Sequence, residues 1–234
     1  MSNALIHIND LRSTRGDFEL HIPQWHVEPG QVVGLVGPNG VGKTTLLRIL
    51  AGIDPAQSGS VSVLGMNPTA DFVAVRSRCA FMSDDQTVFT MRINKLLRTL
   101  SGYYPTWDAA HVSELLERFE LDPMAYSNTL SRGQGTRLRL LIAMAFRPDV
   151  LLLDEPGTGL DLAGRRSLLK SVIEVAGSGE RSVIISSHQL GDIERICDRI
   201  LVLNEGTVVR EGASDELIQD GQTLEEAMMA WGAA

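Results

Sequence analysis

The chain has 234 residues, 44% of them hydrophobic and 21% charged, and a formal net charge of −8. That apolar content excludes a disordered chain and suffices for the core of one compact domain. The acidic balance argues against a nucleic-acid partner, because phosphate contacts call for a basic surface, and no polybasic cluster offers itself to anionic lipid.

The residues Phe18, Leu20 and Ile22 alternate with polar neighbours and predict a half-buried strand, with Leu5–Leu11 as its neighbour. Val32–Val36, bounded by Gly30 and Gly37, reads as a buried strand. Lys43–Ala51 has helical spacing and stops at Gly52, and Val61–Leu64 is a further strand. Between Asp85 and Arg147 helical patterns dominate. Asp108 is placed to cap a helix carrying Val112, Leu115, Leu116 and Phe119 on one face, and Arg137–Phe146 reads as a second, more buried helix. Strands return at Val150–Asp154, Val183–Ser187 and Ile200–Leu203, with helices at Ala163–Ala176 and Leu190–Ile196. A last strand is expected at Thr207–Val209 and a helical tail over Leu217–Trp231. Strands alternating with helices imply a parallel sheet with crossover helices, here an α/β core (1–84 and 148–234) interrupted by a helical subdomain (85–147).

The longest apolar run, Leu140–Phe146, is too short to span a bilayer. The first ten residues do not pair a basic segment with an apolar one, so no secretory signal is expected. Two cysteines, Cys79 and Cys197, fit a reducing cytoplasm better than a disulfide framework.

The strongest chemical signal is Gly37-Pro38-Asn39-Gly40-Val41-Gly42-Lys43-Thr44, with Thr45 after it. It matches G-x-x-x-x-G-K-[ST] between a buried strand and a helix. Such a loop wraps phosphates with backbone N–H groups, and the helix that follows points its positive end at the anion. Lys43 would reach the β- and γ-phosphates of a nucleotide, and Thr44 would ligate Mg²⁺. Outside this context the same residues would be a glycine-rich turn with a surface lysine. The companion is Val150–Asp154 followed by Glu155, a buried strand ending in two acids where parallel sheets present ligands. Asp154 would hold Mg²⁺ through water, and Glu155 would orient the attacking water or take its proton. Alone, this pair could equally cap a helix.

With Leu130-Ser131-Arg132-Gly133-Gln134 following the helical insert, the sequence resembles the ATP-binding cassette (ABC) family, whose signature reads LSGGQ. The resemblance runs from the first strands to about Gly212. It implies a P-loop NTPase core with a mainly parallel sheet, an antiparallel β-subdomain and a helical insert. It also implies that Ser131, Gly133 and Gln134 face the γ-phosphate bound to an opposite subunit. Gly159-Leu160-Asp161 resembles the loop that crosses the dimer interface, and His188, after a strand, resembles the switch histidine. On this resemblance the catalytic set is Lys43, Glu155 and His188.

Two positions depart from the family pattern. The stretch Leu11–Gly16 lacks the usual aromatic that stacks on adenine, leaving Arg15 or Phe18 for that place. After the strand Cys79–Ser83, where the family has glutamine, stands Asp84, followed by Asp85 and Gln86. Asp84 is a candidate third metal ligand, with Gln86 as the alternative residue at the site. An acid here, with Tyr104–Asp108, resembles a bacterial exporter-type subgroup that includes Ytr-type ATPases. The family implies integral-membrane transporter subunits as partners, a second cassette (an identical or a related one), and a cytoplasmic location on the inner membrane face. A non-transport ABC ATPase is the alternative, although the translation type carries two cassettes and the repair type a long coiled-coil insert. A degenerate, binding-only cassette conflicts with the intact Lys43, Thr44, Asp154, Glu155 and His188.

Overall fold

The computed structural model describes residues 4–218 and 221–233. In chain order the elements are β1 (Ile6–Arg15), β2 (Phe18–Val27), β3 (Val32–Val36), α1 (Lys43–Leu50), β4 (Ser58–Val63), α2 (Phe72–Arg76) and β5 (Cys79–Ser83). Three helices follow, α3 (Ile93–Ser101), α4 (Ala109–Arg118) and α5 (Arg132–Met144). Then come β6 (Val150–Asp154), α6 (Leu162–Ala176), β7 (Ser182–Ser186), α7 (Leu190–Ile196), β8 (Arg199–Asn204), β9 (Thr207–Ala213), α8 (Ser214–Leu217) and α9 (Leu224–Ala230).

Among the described residues the strands form one nine-stranded sheet in the order β4-β1-β2-β9-β8-β3-β7-β6-β5. The half from β8 to β5 is parallel, while β1 pairs antiparallel with β2 and β4 at the other end. The parallel strands are buried on both faces, which is why they read as unbroken apolar runs rather than as alternation. Their side chains still alternate: Val32 and Val36 of β3 join one cluster and Val33 and Leu35 the other, and Leu151 and Leu153 of β6 oppose Val150 and Leu152. One face is covered by α1 and the antiparallel strands, the other by the insert helices with α6, α7 and α9. The insert therefore shares its hydrophobic core with the sheet, with Leu138, Leu141 and Met144 of α5 packing in the same cluster as Ala80 and Met82 of β5.

Several boundaries differ from those expected. Helix α5 starts at Arg132 rather than Arg137, because Ser131 and Gln134 form a capping box that satisfies the first-turn N–H groups. Helix α2, a single short turn with Phe72 and Val73 exposed, carries no periodicity that would announce it. The expected tail helix Leu217–Trp231 is divided: Ile218 is extended, Gly221 takes φ 81°, and a second helix begins after its Thr223 cap. Residues 219 and 220 of that stretch lie outside the described residues. Both thiols, Cys79 and Cys197, are free and buried, and burial pushes Cys79 up to about 12.

Gly34 is the point at which the sheet admits α7. A methyl group there would sit 2.5 Å from Ile193 Cγ2 and 3.1 Å from Cys197 Sγ. Overpacking of this kind typically costs about 1–3 kcal/mol. Gly34→Ala is expected to lower the unfolding free energy, read from urea denaturation, by an amount in that range, and Ile193→Ala in the same chain to recover part of the loss. A variant as stable as the parent would show that α7 can retreat freely.

Candidate nucleotide site

The site is assembled at the carboxyl ends of neighbouring parallel strands, β3, β6 and β7. The loop after β3 turns through left-handed glycines, Gly37 (φ 144°), Gly40 (φ 83°) and Gly42 (φ 104°). Two of them have no room for a side chain: a methyl group at Gly37 would meet Leu203 O at 2.1 Å, and one at Gly42 would meet Leu20 Cδ1 at 2.9 Å and Phe18 Cζ at 3.0 Å. Gly40 faces open space. The loop so built encloses a cavity of about 190 Å³ lined by Phe18, Asn39, Lys43, Thr44, Asp154 and Glu155, with Gly40, Gly42 and Thr45. Val41 and Thr45 are buried beneath it, whereas Pro38 is half-buried.

Lys43 is 6% exposed, and its ammonium donates to Gly37 O (2.6 Å) and Pro38 O (2.9 Å) of its own loop. Burial pushes this amine below its ordinary value, and the charges of Glu155 and Asp154 push it back up. Asp154, also 6% exposed, ends β6 with both oxygens engaged: Thr44 Oγ1 donates to Oδ2 at 2.7 Å and Ser186 Oγ donates to Oδ1 at 2.7 Å. The Glu155 N–H donates to the same Ser186 Oγ at 2.9 Å. Glu155 itself takes φ 49°, a left-handed backbone uncommon outside glycine, which turns its carboxylate towards the next strand. There Oε2 lies 2.6 Å from His188 Nδ1 and accepts the His188 N–H at 3.2 Å. The structure thus gathers Lys43, Thr44, Asp154, Glu155 and His188 around one loop. Ser186 joins them, which the motif reading missed; its signal in the sequence was a serine ending an apolar run, and the fold sets it in register with Asp154.

The donor set fits a nucleotide–Mg²⁺ pair. A hydroxyl and a carboxylate oxygen stand 2.7 Å apart beside a loop open at Gly40, and hard oxygen donors suit Mg²⁺. Among the described residues no group of three or more His, Cys, Asp or Glu could hold a metal by itself, so phosphate and water oxygens would complete the shell.

The departures fall elsewhere than expected. Asp84 is not in the metal set: Arg139 Nη2 donates to its Oδ1 at 2.8 Å and Arg132 Nη2 to its Oδ2 at 2.9 Å, so both oxygens are committed to guanidinium groups. Gln86 does not replace it, because its side chain folds back on β5, accepting from Ser83 N–H (3.4 Å) and donating to Phe81 O (3.2 Å). Arg15 is drawn to the Asp54 carboxylate, which Arg48 also holds. Phe18, in contrast, lines the phosphate-loop cavity.

The signature turn lies apart from these residues. Ser131 Oγ accepts the Gln134 N–H at 3.3 Å, and Gln134 Oε1 accepts the Ser131 N–H at 3.0 Å. Gly133 packs against the loop after β6, where a methyl group would come within 3.0 Å of Gly159 O. Asp161 caps α6 by accepting the Gly164 N–H at 2.7 Å, and with Arg137 at 3.1 Å its carboxyl stays below the usual range. Arg137 also reaches Phe119 O at 3.3 Å, tying that cap to the end of α4.

The ABC transporter family matches the chain over residues 20–158, more than half its length. The ABC transporter ATP-binding protein YtrB of Bacillus subtilis is 32% identical over 195 residues, 83% of this chain and 66% of that protein. The Nod factor export ATP-binding protein I of Burkholderia thailandensis is 36% identical over 205 residues, with the same shares covered. The chain therefore spans slightly less than two thirds of the length of these relatives, 66% in each case. A solved ATP-binding subunit of an ABC transporter superposes with a TM-score of 0.89 over 97% of this chain and 99% of that one, at 24% identity. The cbiO1 structure from Clostridium perfringens, part of the complex cbiONQ, gives 0.76 over 98% and 94% at 22% identity. At those identities the structural likeness establishes the fold, a P-loop α/β core with a helical insert; the family match over residues 20–158 shows that this chain belongs to the ABC transporter family.

Proposed function

We propose that the chain is the ATP-binding and ATP-hydrolysing subunit of an ABC transporter, driving transport through separate integral-membrane subunits. The observation that carries this reading is the convergence of Lys43, Thr44, Asp154, Glu155 and His188 at one loop. The loop's N–H groups and the first turn of α1 cradle the phosphates, and Lys43 exchanges its loop carbonyls for phosphate oxygens. Mg²⁺ held by Thr44, and through water by Asp154, would neutralise charge spread over the β- and γ-phosphates. Glu155 orients the attacking water and takes its proton, with its carboxylate held in place by His188. The His188 side chain is 57% exposed, on a face that a second cassette can cover. Ser131 and Gly133 of that second cassette, identical or related, would close over the γ-phosphate, with Gln134 bracing the turn and Asp161 fixing the loop beside it.

A groove of about 480 Å³ between the sheet edge and the insert supports the membrane partner. Its lining mixes apolar side chains such as Phe81, Phe89 and Tyr104 with charged ones, Arg48, Asp85 and Arg139, and Phe89 is 76% exposed. An amphipathic segment of a membrane subunit on the cytoplasmic side, with apolar and charged residues, suits such a lining. Among the described residues no helix is long and apolar enough to cross a membrane, so the pathway would belong to that partner. The export named for the Burkholderia protein supports an exporter-type role.

Glu155→Gln is expected to reduce ATP turnover about 10²–10⁴-fold while keeping ATP binding, and to trap an ATP-dependent dimer on gel filtration. Lys43→Ala is expected to lose nucleotide affinity itself. Undiminished turnover in the first variant, or unchanged affinity in the second, would remove the assignment.

Phe89→Asp is expected to abolish co-purification with the membrane subunits proposed as its partners, with ATP binding retained. Co-purification at the parental yield would move the docking surface elsewhere.

On the base side, Phe18→Ala is expected to weaken ATP binding several-fold and Arg15→Ala to leave it within a factor of about two. Nucleotide titration of the two variants decides it, and the reverse order would return Arg15 to the adenine.

A further inference from the structure

The two motif departures, Asp84 after β5 and Arg132 in the signature turn, meet in space. Arg132 opens α5 and Arg139 lies seven residues on, two turns along the same helical face, so both guanidinium groups reach one carboxylate. Arg139 is the more enclosed, 14% exposed against 66% for Arg132. It also donates to Thr136 Oγ1 at 3.0 Å, and Thr136 in turn donates to Thr158 O at 3.3 Å in the loop after β6. Burial lowers the pKa of Arg139 and the nearby Arg132 adds to that, while Asp84 and, less strongly, Asp85 push it part of the way back. Without the carboxylate two guanidinium groups would face each other.

Arg132 does more than reach Asp84. Its aliphatic stem lies on Gly159, where a methyl group would come within 2.9 Å of Cγ and 3.0 Å of Cδ. Gly159 takes φ 77°, and its carbonyl faces Gly133. The loop after β5, the signature turn and the loop after β6 therefore interlock, with the Asp84–Arg132 ion pair tying the first to the second and Thr136 tying α5 to the third.

We propose that Asp84 is a positioning residue: through Arg132 and Arg139 it sets how Ser131 and Gly133 are presented to the nucleotide of a facing cassette. This rests on the reading that the signature turn meets ATP across a dimer. Asp84 makes no contact with nucleotide on this account; it acts by fixing the orientation of the first turn of α5. The glycine usual at position 132 would leave the Asp84 carboxylate paired with Arg139 alone. Asp84 and Arg132 thus form a matched pair, each departure giving the other its partner.

The test uses the full chain in the Glu155→Gln background, with ATP-dependent dimerisation followed by sedimentation against ATP concentration. Binding of a fluorescent ATP analogue to the phosphate loop is measured separately, and a fold defect would lower both. Asp84→Asn and Arg132→Ala are each expected to raise the ATP needed for half-maximal dimerisation about five-fold, with analogue binding unchanged. The double variant should be no worse than the more affected single one, since both remove the same tie. Ser131→Ala runs alongside. If it weakens dimerisation while Asp84→Asn does not, or if the two Asp84 and Arg132 effects simply add, the positioning role is overturned. If neither Ser131→Ala nor Asp84→Asn changes dimerisation, the cross-dimer reading fails and takes this proposal with it.

Discussion

The hydrogen bond from Thr44 Oγ1 to Asp154 Oδ2, at 2.7 Å, joins the two halves on which the site depends. Asp154 ends a strand whose residues are all buried, and a carboxylate there needs donors to offset lost hydration. Thr44 supplies one from the first turn of α1 and Ser186 another from β7. Hydrogen bonds to a charged group are worth roughly 1.5–3 kcal/mol each, and here they also fix α1 against the strand ends. The geometry of the phosphate loop, which begins at β3 and ends at α1, is set from below by that contact. Close approach at its other side follows from Gly37 and Gly42, where any side chain would strike Leu203, Leu20 or Phe18.

The same economy runs through Ser186, which accepts from Glu155 N–H while donating to Asp154. One hydroxyl thereby sets both acids. The left-handed turn at Glu155 is the conformational cost, typically about 1–3 kcal/mol for such a residue, and it delivers the carboxylate to His188. Strands β6 and β7 thus end in Asp154 and Ser186 side by side, and β3, in register with β7, delivers the phosphate loop and α1 to the same level.

Around this rigid centre the signature helix is held by arginines. Arg137 joins α4 to the cap of α6, and Arg132 and Arg139 join α5 to the loop after β5. The Nε atoms of Arg137 and Arg139 are buried without a hydrogen-bond partner, so these side chains are placed by their Nη contacts and by packing.

Much of this was legible in the residues. Val32–Val36 and Val150–Asp154 are strands with the bounds their apolar runs announce, because a doubly buried strand must be apolar throughout. The phosphate loop stood out by its own residues, Gly37 to Thr44, between a strand and a helix, whereas Glu155 and His188, 33 residues apart, were linked only by resemblance to a family and meet through the fold. The start of α5, the division of the tail and helix α2 were not legible, since capping reciprocity and packing decided them rather than periodicity. What lay wholly beyond the sequence was partnership over distance. Asp84 looked like a metal ligand by its place in the chain, yet Arg132 and Arg139, 48 and 55 residues away, claim both its oxygens. Arg15 looked available to a base, yet Asp54 holds it. A charged side chain goes to the opposite charge nearest in space, and only the folded chain decides which one that is.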